Sequence, residues 1–148
     1  MSSILFVLTS HDRMSNGDPT GLWLEEYAVP WMRLTEAGHD VTVASVAGGD
    51  VPVDPNSEPS EEQAREWSAA IERLKGTPSI DGISADGFDA VYLPGGHGTM
   101  FDMPDNERLH ELLLHFDEQG SVIASVCHAP AVFSGDRKST RLNSSHRY

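Results

Sequence analysis

Four short apolar runs, each closed by small, glycine or proline residues, set the rhythm of this chain. They occupy residues 4–8 (Ile-Leu-Phe-Val-Leu), 41–45 (Val-Thr-Val-Ala-Ser), 90–93 (Ala-Val-Tyr-Leu) and 121–126 (Ser-Val-Ile-Ala-Ser-Val). Runs of this length without strict alternation predict strands buried on both faces. The intervening segments have helical spacing. Over residues 21–37, Trp23, Tyr27, Trp31 and Leu34 share one face, Pro30 is expected to kink or loosen the helix, and Gly38 to stop it. Residues 47–59, with three prolines among acidic and small residues, predict a loop. Ser60-Glu61-Glu62-Gln63 is a capping box that predicts a helix running to about residue 75. Asp105 is expected to cap a further helix carrying Leu109, Leu112, Leu113 and Phe116, ended by Gly120.

Strands alternating with amphipathic helices predict βαβ units, hence an α/β fold with a mainly parallel sheet covered on both faces. In such sheets ligands collect outside the carboxyl ends of the strands. Three segments rich in small or reactive residues fall there: the loop after Leu8, the run Pro94-Gly95-Gly96-His97-Gly98, and Cys127 with His128. Their convergence on one edge carries more weight than any of them alone.

Composition narrows the class of partner. The 148 residues carry 23 acidic and 10 basic side chains, a formal charge of −13. Clustered Lys and Arg, which a phosphate backbone or an anionic membrane needs, are absent before residue 136, so neither nucleic acid nor membrane is an expected partner. A single cysteine excludes an intramolecular disulfide. The first apolar run is too short to span a bilayer and lacks the basic flank of a signal peptide, so a cytoplasmic protein is expected.

Cys127 ends the fourth apolar run at a strand-to-helix turn, where a thiol is held clear of the backbone near the positive end of the next helix and gains thiolate character. The competing reading is a buried structural cysteine. Gly95 and Gly96 offer unobstructed backbone N–H groups for a developing oxyanion, or form only a tight turn. His128 is the natural general base, or a turn histidine satisfied by backbone. On a helical projection from Leu22, at about 100° per residue, the apolar stripe centres near ~110°, Glu26 falls near ~40° and Glu25 near ~300°. Glu26 therefore sits on the edge of the buried face, able to exchange protons with a substrate at the thiol, while Glu25 faces solvent. His39, His110 and His115 read as surface residues. His11 and His97 lie in loops flanking the candidate site, where they can bind substrate, but no spacing specifies a metal site and no cofactor is expected.

Glu26, Gly95-Gly96-His97-Gly98 and Cys127-His128 together resemble the PfpI-type, class I glutamine-amidotransferase-like superfamily, most nearly its branch of glutathione-independent glyoxalases (glyoxalase III) and heat-shock chaperones. The matching stretches are residues 4–10, 20–26, 94–102 and 124–133. The resemblance implies a flavodoxin-like three-layer sandwich with Cys127 as nucleophile, Glu26 as acid/base and His128 as the triad histidine. It further implies an oxyanion hole from the N–H groups of Gly96 and His128, with substrate contacts from Gly95 and His97. The implied substrate is methylglyoxal or a related 2-oxoaldehyde, converted to a 2-hydroxy acid such as D-lactate, and the implied full-length assembly is a homodimer. A chaperone or deglycase of the same superfamily and a glutamine amidotransferase-like domain are the alternatives.

Residues 136–148 change character. Four of the ten basic residues fall there, with one aliphatic side chain and no periodicity. This segment is expected to be a non-native, disordered tail, with the superfamily domain occupying residues 1–135 and interrupted after Gly135. Ala129 stands where this branch often has glycine. Members of the superfamily continue further and supply the acid that orients the triad histidine, so the chain as written is expected to fold poorly.

Overall fold

A computed structural model of the protein describes residues 2–126. Cys127, His128, the boundary after Gly135 and the tail 136–148 lie outside the described residues. Within them, four strands form one parallel sheet: β1 (Ser3–Leu8), β2 (Asp40–Ser45), β3 (Ala90–Leu93) and β4 (Val122–Ser125), in the spatial order β2-β1-β3-β4. The register pairs Phe6 with Val43 on one side and with Tyr92 on the other, and Leu93 with Ser125.

Side-chain alternation along β1 sorts its residues between two cores. Leu5 and Val7 pack with Val91, Leu93 and Ile123 beneath α5 (Glu107–Glu118), through Leu109, Leu112, Leu113 and Phe116. Ile4, Phe6 and Leu8 pack on the opposite face against Tyr27, Ala28 and Trp31 of α1 (Leu24–Glu36) and against Trp67 and Ala70. The result is the three-layer, flavodoxin-like α/β sandwich expected from the chain. Full burial of side chains the size of Phe6, Tyr27 and Phe116 contributes on the order of 2–3 kcal/mol each before conformational entropy is counted.

Several element boundaries differ from expectation, each for a local reason. The first helix begins at Leu24 because residues 21–23 are extended: Leu22 bridges Val53, its N–H donating to Pro52 O and its O accepting from Asp54 N–H. Gly21 is required there, since a Cβ would lie 2.4 Å from the Pro52 carbonyl oxygen. Trp23 is accordingly the half-buried N-cap and not part of the apolar helical stripe. Pro30 does not interrupt α1, which runs unbroken past it.

The helix opened by the capping box is split at Trp67 into α2 (Glu61–Glu66) and α3 (Ser68–Glu72), and both bonds of the box are present. Asn106, not Asp105, caps α5, its side chain accepting from Leu109 N–H. A short helix, α4 (Thr99–Asp102), follows the glycine-rich loop and was not anticipated. Of the histidines read as surface groups, His115 is exposed. His39 is half-buried and accepts from Ser2 N–H, and His110 is half-buried with its Nε2 sealed from solvent and without a partner among the described residues.

Candidate active site

β1 leads to β2 on one side, and the long connection from β2 passes β1 to reach β3 on the other. The carboxyl ends of β1 and β3 therefore flank the point where the order of strands reverses, the place where open α/β sheets bind ligands. Two groups of residues meet at that edge.

The first group is built on Glu26. As the helical projection implies, Glu25 is exposed and Glu26 half-buried. The Glu26 carboxylate crosses from α1 to the loop after β3, where Oε1 accepts the Gly95 N–H at 3.0 Å. The return contact is backbone: Trp23 N–H donates to Gly95 O, also at 3.0 Å. Two sequence-predicted residues 69 positions apart are thus brought into direct contact. Gly95 is buried, and its amide is engaged by Glu26.

Gly96 is the residue that lets these segments close. Its φ is 125°, and a Cβ would stand 2.2 Å from Gly21 O and 2.7 Å from Trp23 N. No side chain fits between the loop and the entry to α1. His97 is exposed on the turn that follows, and its carbonyl accepts from Met100 N–H. Cys127 and His128 lie outside the described residues. Their approach is described as far as Val126, whose N–H donates to Leu93 O at 3.3 Å.

The second group, Thr9, Ser10, His11 and Asp102, was not singled out from the sequence beyond His11. Asp102 of α4 reaches back to the end of β1, one carboxyl oxygen accepting from Thr9 Oγ1 at 2.9 Å and the other from Ser10 N–H at 2.7 Å. Burial pushes its carboxyl above the usual range, and the bonds from Ser10 and Thr9 and the nearby His11 oppose that rise. Gly98 makes the approach possible, since a Cβ there would lie 2.7 Å from His11 O and 2.8 Å from Thr9 Oγ1. His11 stacks on Phe101, ring centroids 4.4 Å apart and planes within 9°. The available signal was positional: polar residues following β1 and an acid following the glycine loop occupy the carboxyl ends of adjacent strands.

Tyr92 is the other unanticipated contributor. Its hydroxyl donates to the backbone carbonyl of Glu26 at 2.7 Å, and its ring packs edge-on against Phe6 at 4.9 Å. Burial, then the negative charge of Glu26, raises the phenol pKa, so the hydroxyl remains a donor. Among the described residues no group of three or more His, Cys, Asp or Glu side chains converges to hold a metal ion, and no helix is long and apolar enough to cross a membrane.

A carboxylate anchored beside a glycine-rich loop at a strand-order switch can exchange a proton with a small molecule bound at that edge. Comparison with known proteins agrees with this architecture. The chain is 28% identical to Glyoxalase 3 of Candida albicans over 145 residues, covering 90% of this chain and 60% of that protein. It is also 28% identical to the Protein/nucleic acid deglycase HchA of Pseudomonas aeruginosa, covering 80% of this chain and 44% of that protein. The X-ray structure of the 24 kDa Rapid Encystment Protein of Francisella tularensis superposes with a TM-score of 0.81 at 33% identity, covering 90% of this chain and 61% of that one. The chain therefore spans less than two thirds of the length of these relatives. With residues 20–139 matching the model of the DJ-1/PfpI family across most of the sequence, the chain belongs to that family.

Proposed function

We propose that this chain carries the catalytic half of a glutathione-independent glyoxalase acting on methylglyoxal or a related small 2-oxoaldehyde. The observation that carries this reading is the anchoring of the Glu26 carboxylate on the Gly95 amide, beyond the carboxyl end of β3. β4 is the neighbour of β3, with Leu93 level with Ser125. Cys127 follows Ser125 by the same two positions that separate Gly95 from Leu93. That count supports a thiol and a carboxyl group serving one substrate.

In this reading the Cys127 thiolate adds to the aldehyde carbon C1, forming the C–S bond of a hemithioacetal whose oxygen takes up a proton. Removal of the C1 hydrogen as a proton, by Glu26 or His128, sends its electron pair through C2 onto the ketone oxygen and yields an enediol. Protonation at C2, with release of the C1 hydroxyl proton, gives the thioester of the 2-hydroxy acid. Water then cleaves that thioester, releasing the acid and restoring the thiol. The sum is addition of one water to the oxoaldehyde, with no external oxidant or reductant. The N–H groups of Gly96 and His128 are the proposed donors to the oxyanions along this path.

The test is lactate formation from methylglyoxal by the full-length protein without glutathione. Loss on both Cys127→Ala and Glu26→Gln is expected, and unchanged turnover in either variant rejects the assigned roles. The relative named as a deglycase supports a second reading with the same thiol. Release of a 2-hydroxy acid from glycated protein, with free methylglyoxal left unconsumed, would favour it. Glutamine-dependent ammonia release would instead favour an amidotransferase.

A further inference from the structure

The mid-helix proline of α1 and the tyrosine of β3 are usually separate facts of packing, but here they meet at one atom. Pro30 lies four residues after Glu26, so the helix position that would donate an N–H to the Glu26 carbonyl has none to give. The Tyr92 hydroxyl donates to that same carbonyl at 2.7 Å. The side chain of Glu26 is held three residues further along β3's exit, on Gly95 N–H. Both ends of Glu26 are therefore tied to one short stretch of chain, Tyr92 to Gly95, and Trp23 N–H closes the same stretch onto the helix entry.

We infer that Tyr92 is a positioning residue for Glu26: the carbonyl left without its helical donor by Pro30 is the handle by which β3 fixes the height and rotation of the carboxyl group over the sheet edge. The inference rests on the acid/base role proposed above for Glu26. A carbonyl already paired within a regular helix would be a weaker acceptor for a second donor, whereas one that lacks the residue-30 N–H leaves that place for the Tyr92 hydroxyl. The Tyr92 ring is fixed independently by its edge contact with Phe6, so the hydroxyl is presented from a rigid strand and not from a mobile loop.

The proline makes the idea separable from simple satisfaction of the carbonyl, because Pro30→Ala returns an N–H to the position from which a helix ordinarily serves the Glu26 carbonyl without restoring the tie to β3. In the full-length protein, Tyr92→Phe is expected to lower kcat for methylglyoxal about 5- to 30-fold with KM within about twofold. Tyr92→Phe combined with Pro30→Ala is expected to leave kcat within about threefold of Tyr92→Phe alone, since the tie to β3 stays broken, and Tyr92→Phe in a Glu26→Gln background to produce no further loss. A carboxyl-carbon NMR titration of Glu26 provides a readout independent of turnover: its midpoint should move in Tyr92→Phe and stay displaced in the double variant. Wild-type titration in Tyr92→Phe, or a displaced midpoint that Pro30→Ala restores merely by satisfying the carbonyl, overturns the positioning role. Failure of the parent to turn over methylglyoxal rejects the glyoxalase reading instead, and the NMR comparison still decides the role of Tyr92.

Discussion

The amide of Gly95 donates to Oε1 of Glu26 across 3.0 Å, joining the first helix to the loop after the third strand. This bond has two separable consequences, one for the stability of the sheet edge and one for the charge available there.

Glu26→Gln and Glu26→Ala should separate them. Glutamine keeps an oxygen acceptor for Gly95 N–H, so thermal or urea unfolding should show a loss of less than about 1 kcal/mol. Alanine leaves a buried amide without its partner and should cost about 1–3 kcal/mol. Turnover of the full-length protein should fall about 10²- to 10⁴-fold in both, since neither can exchange a proton. Equal stability of the two variants would show that the bond does not hold the loop.

Gly96→Ala is expected to be far more disruptive than any neighbouring change. The new Cβ would fall 2.2 Å from Gly21 O, a backbone atom, at a φ of 125° that L-residues rarely adopt. The cost should exceed about 3 kcal/mol and displace the 94–98 loop from the helix entry. Gly82→Ala is the control, because nothing lies within 4 Å of its Cβ position; it should change stability by less than about 1 kcal/mol. Comparable unfolding midpoints for the two variants would contradict the close approach at Gly96.

How much of this was legible beforehand follows from which forces are local. All four strands were visible because burial on both faces demands continuous apolar runs, and Ile4, Phe6 and Leu8 on one side with Leu5 and Val7 on the other show that demand being met. The contrast between Glu25 and Glu26 was legible because helical phase depends only on sequence spacing. The extended segment around Leu22 was not: its pairing with Val53 comes from a partner 31 residues away, which overrides local helical preference. Trp67 likewise breaks a helix that spacing alone would continue. The contact of Asp102 with Thr9 and Ser10 spans more than 90 residues and has no motif of its own. Cys127 and His128, the strongest motif in the chain, lie outside the described residues.

Asp102 gives a pH prediction whose sign is fixed. Its carboxyl is raised above the ordinary value of 3.8, chiefly by burial. A raised acid binds its proton more tightly in the folded state, so its stabilising contribution is complete below 3.8 and is lost as pH climbs through the folded-state value. Asp102→Asn retains an acceptor but cannot ionise. The stability of this variant relative to the parent should therefore increase as pH rises above 3.8 and through the folded-state value, measured by urea unfolding at a series of pH values. A difference independent of pH would show that the carboxyl titrates normally.

Tyr27 and Tyr92 should govern the alkaline limit. Burial raises both phenols above the ordinary value of 10.0; a nearby Arg73 partly offsets this at Tyr27, and Glu26 adds to it at Tyr92. Each hydroxyl donates to a backbone carbonyl, Tyr27 to Ala70 O at 2.5 Å and Tyr92 to Glu26 O at 2.7 Å, and a phenolate can donate to neither. Because the folded-state values are raised, the stability these groups contribute is intact below pH 10 and falls as pH increases beyond it. Spectrophotometric titration should find both tyrosines un-ionised past pH 10 until the chain unfolds, with ionisation and loss of circular dichroism coinciding. In Tyr27→Phe the Ala70 carbonyl keeps the Arg73 N–H at 3.2 Å but loses the phenol, which should lower stability by about 0.5–1.5 kcal/mol at neutral pH and remove one phenol from the coupled transition. Ionisation of both phenols near pH 10 in a chain that remains folded would show that neither hydroxyl is held by its carbonyl.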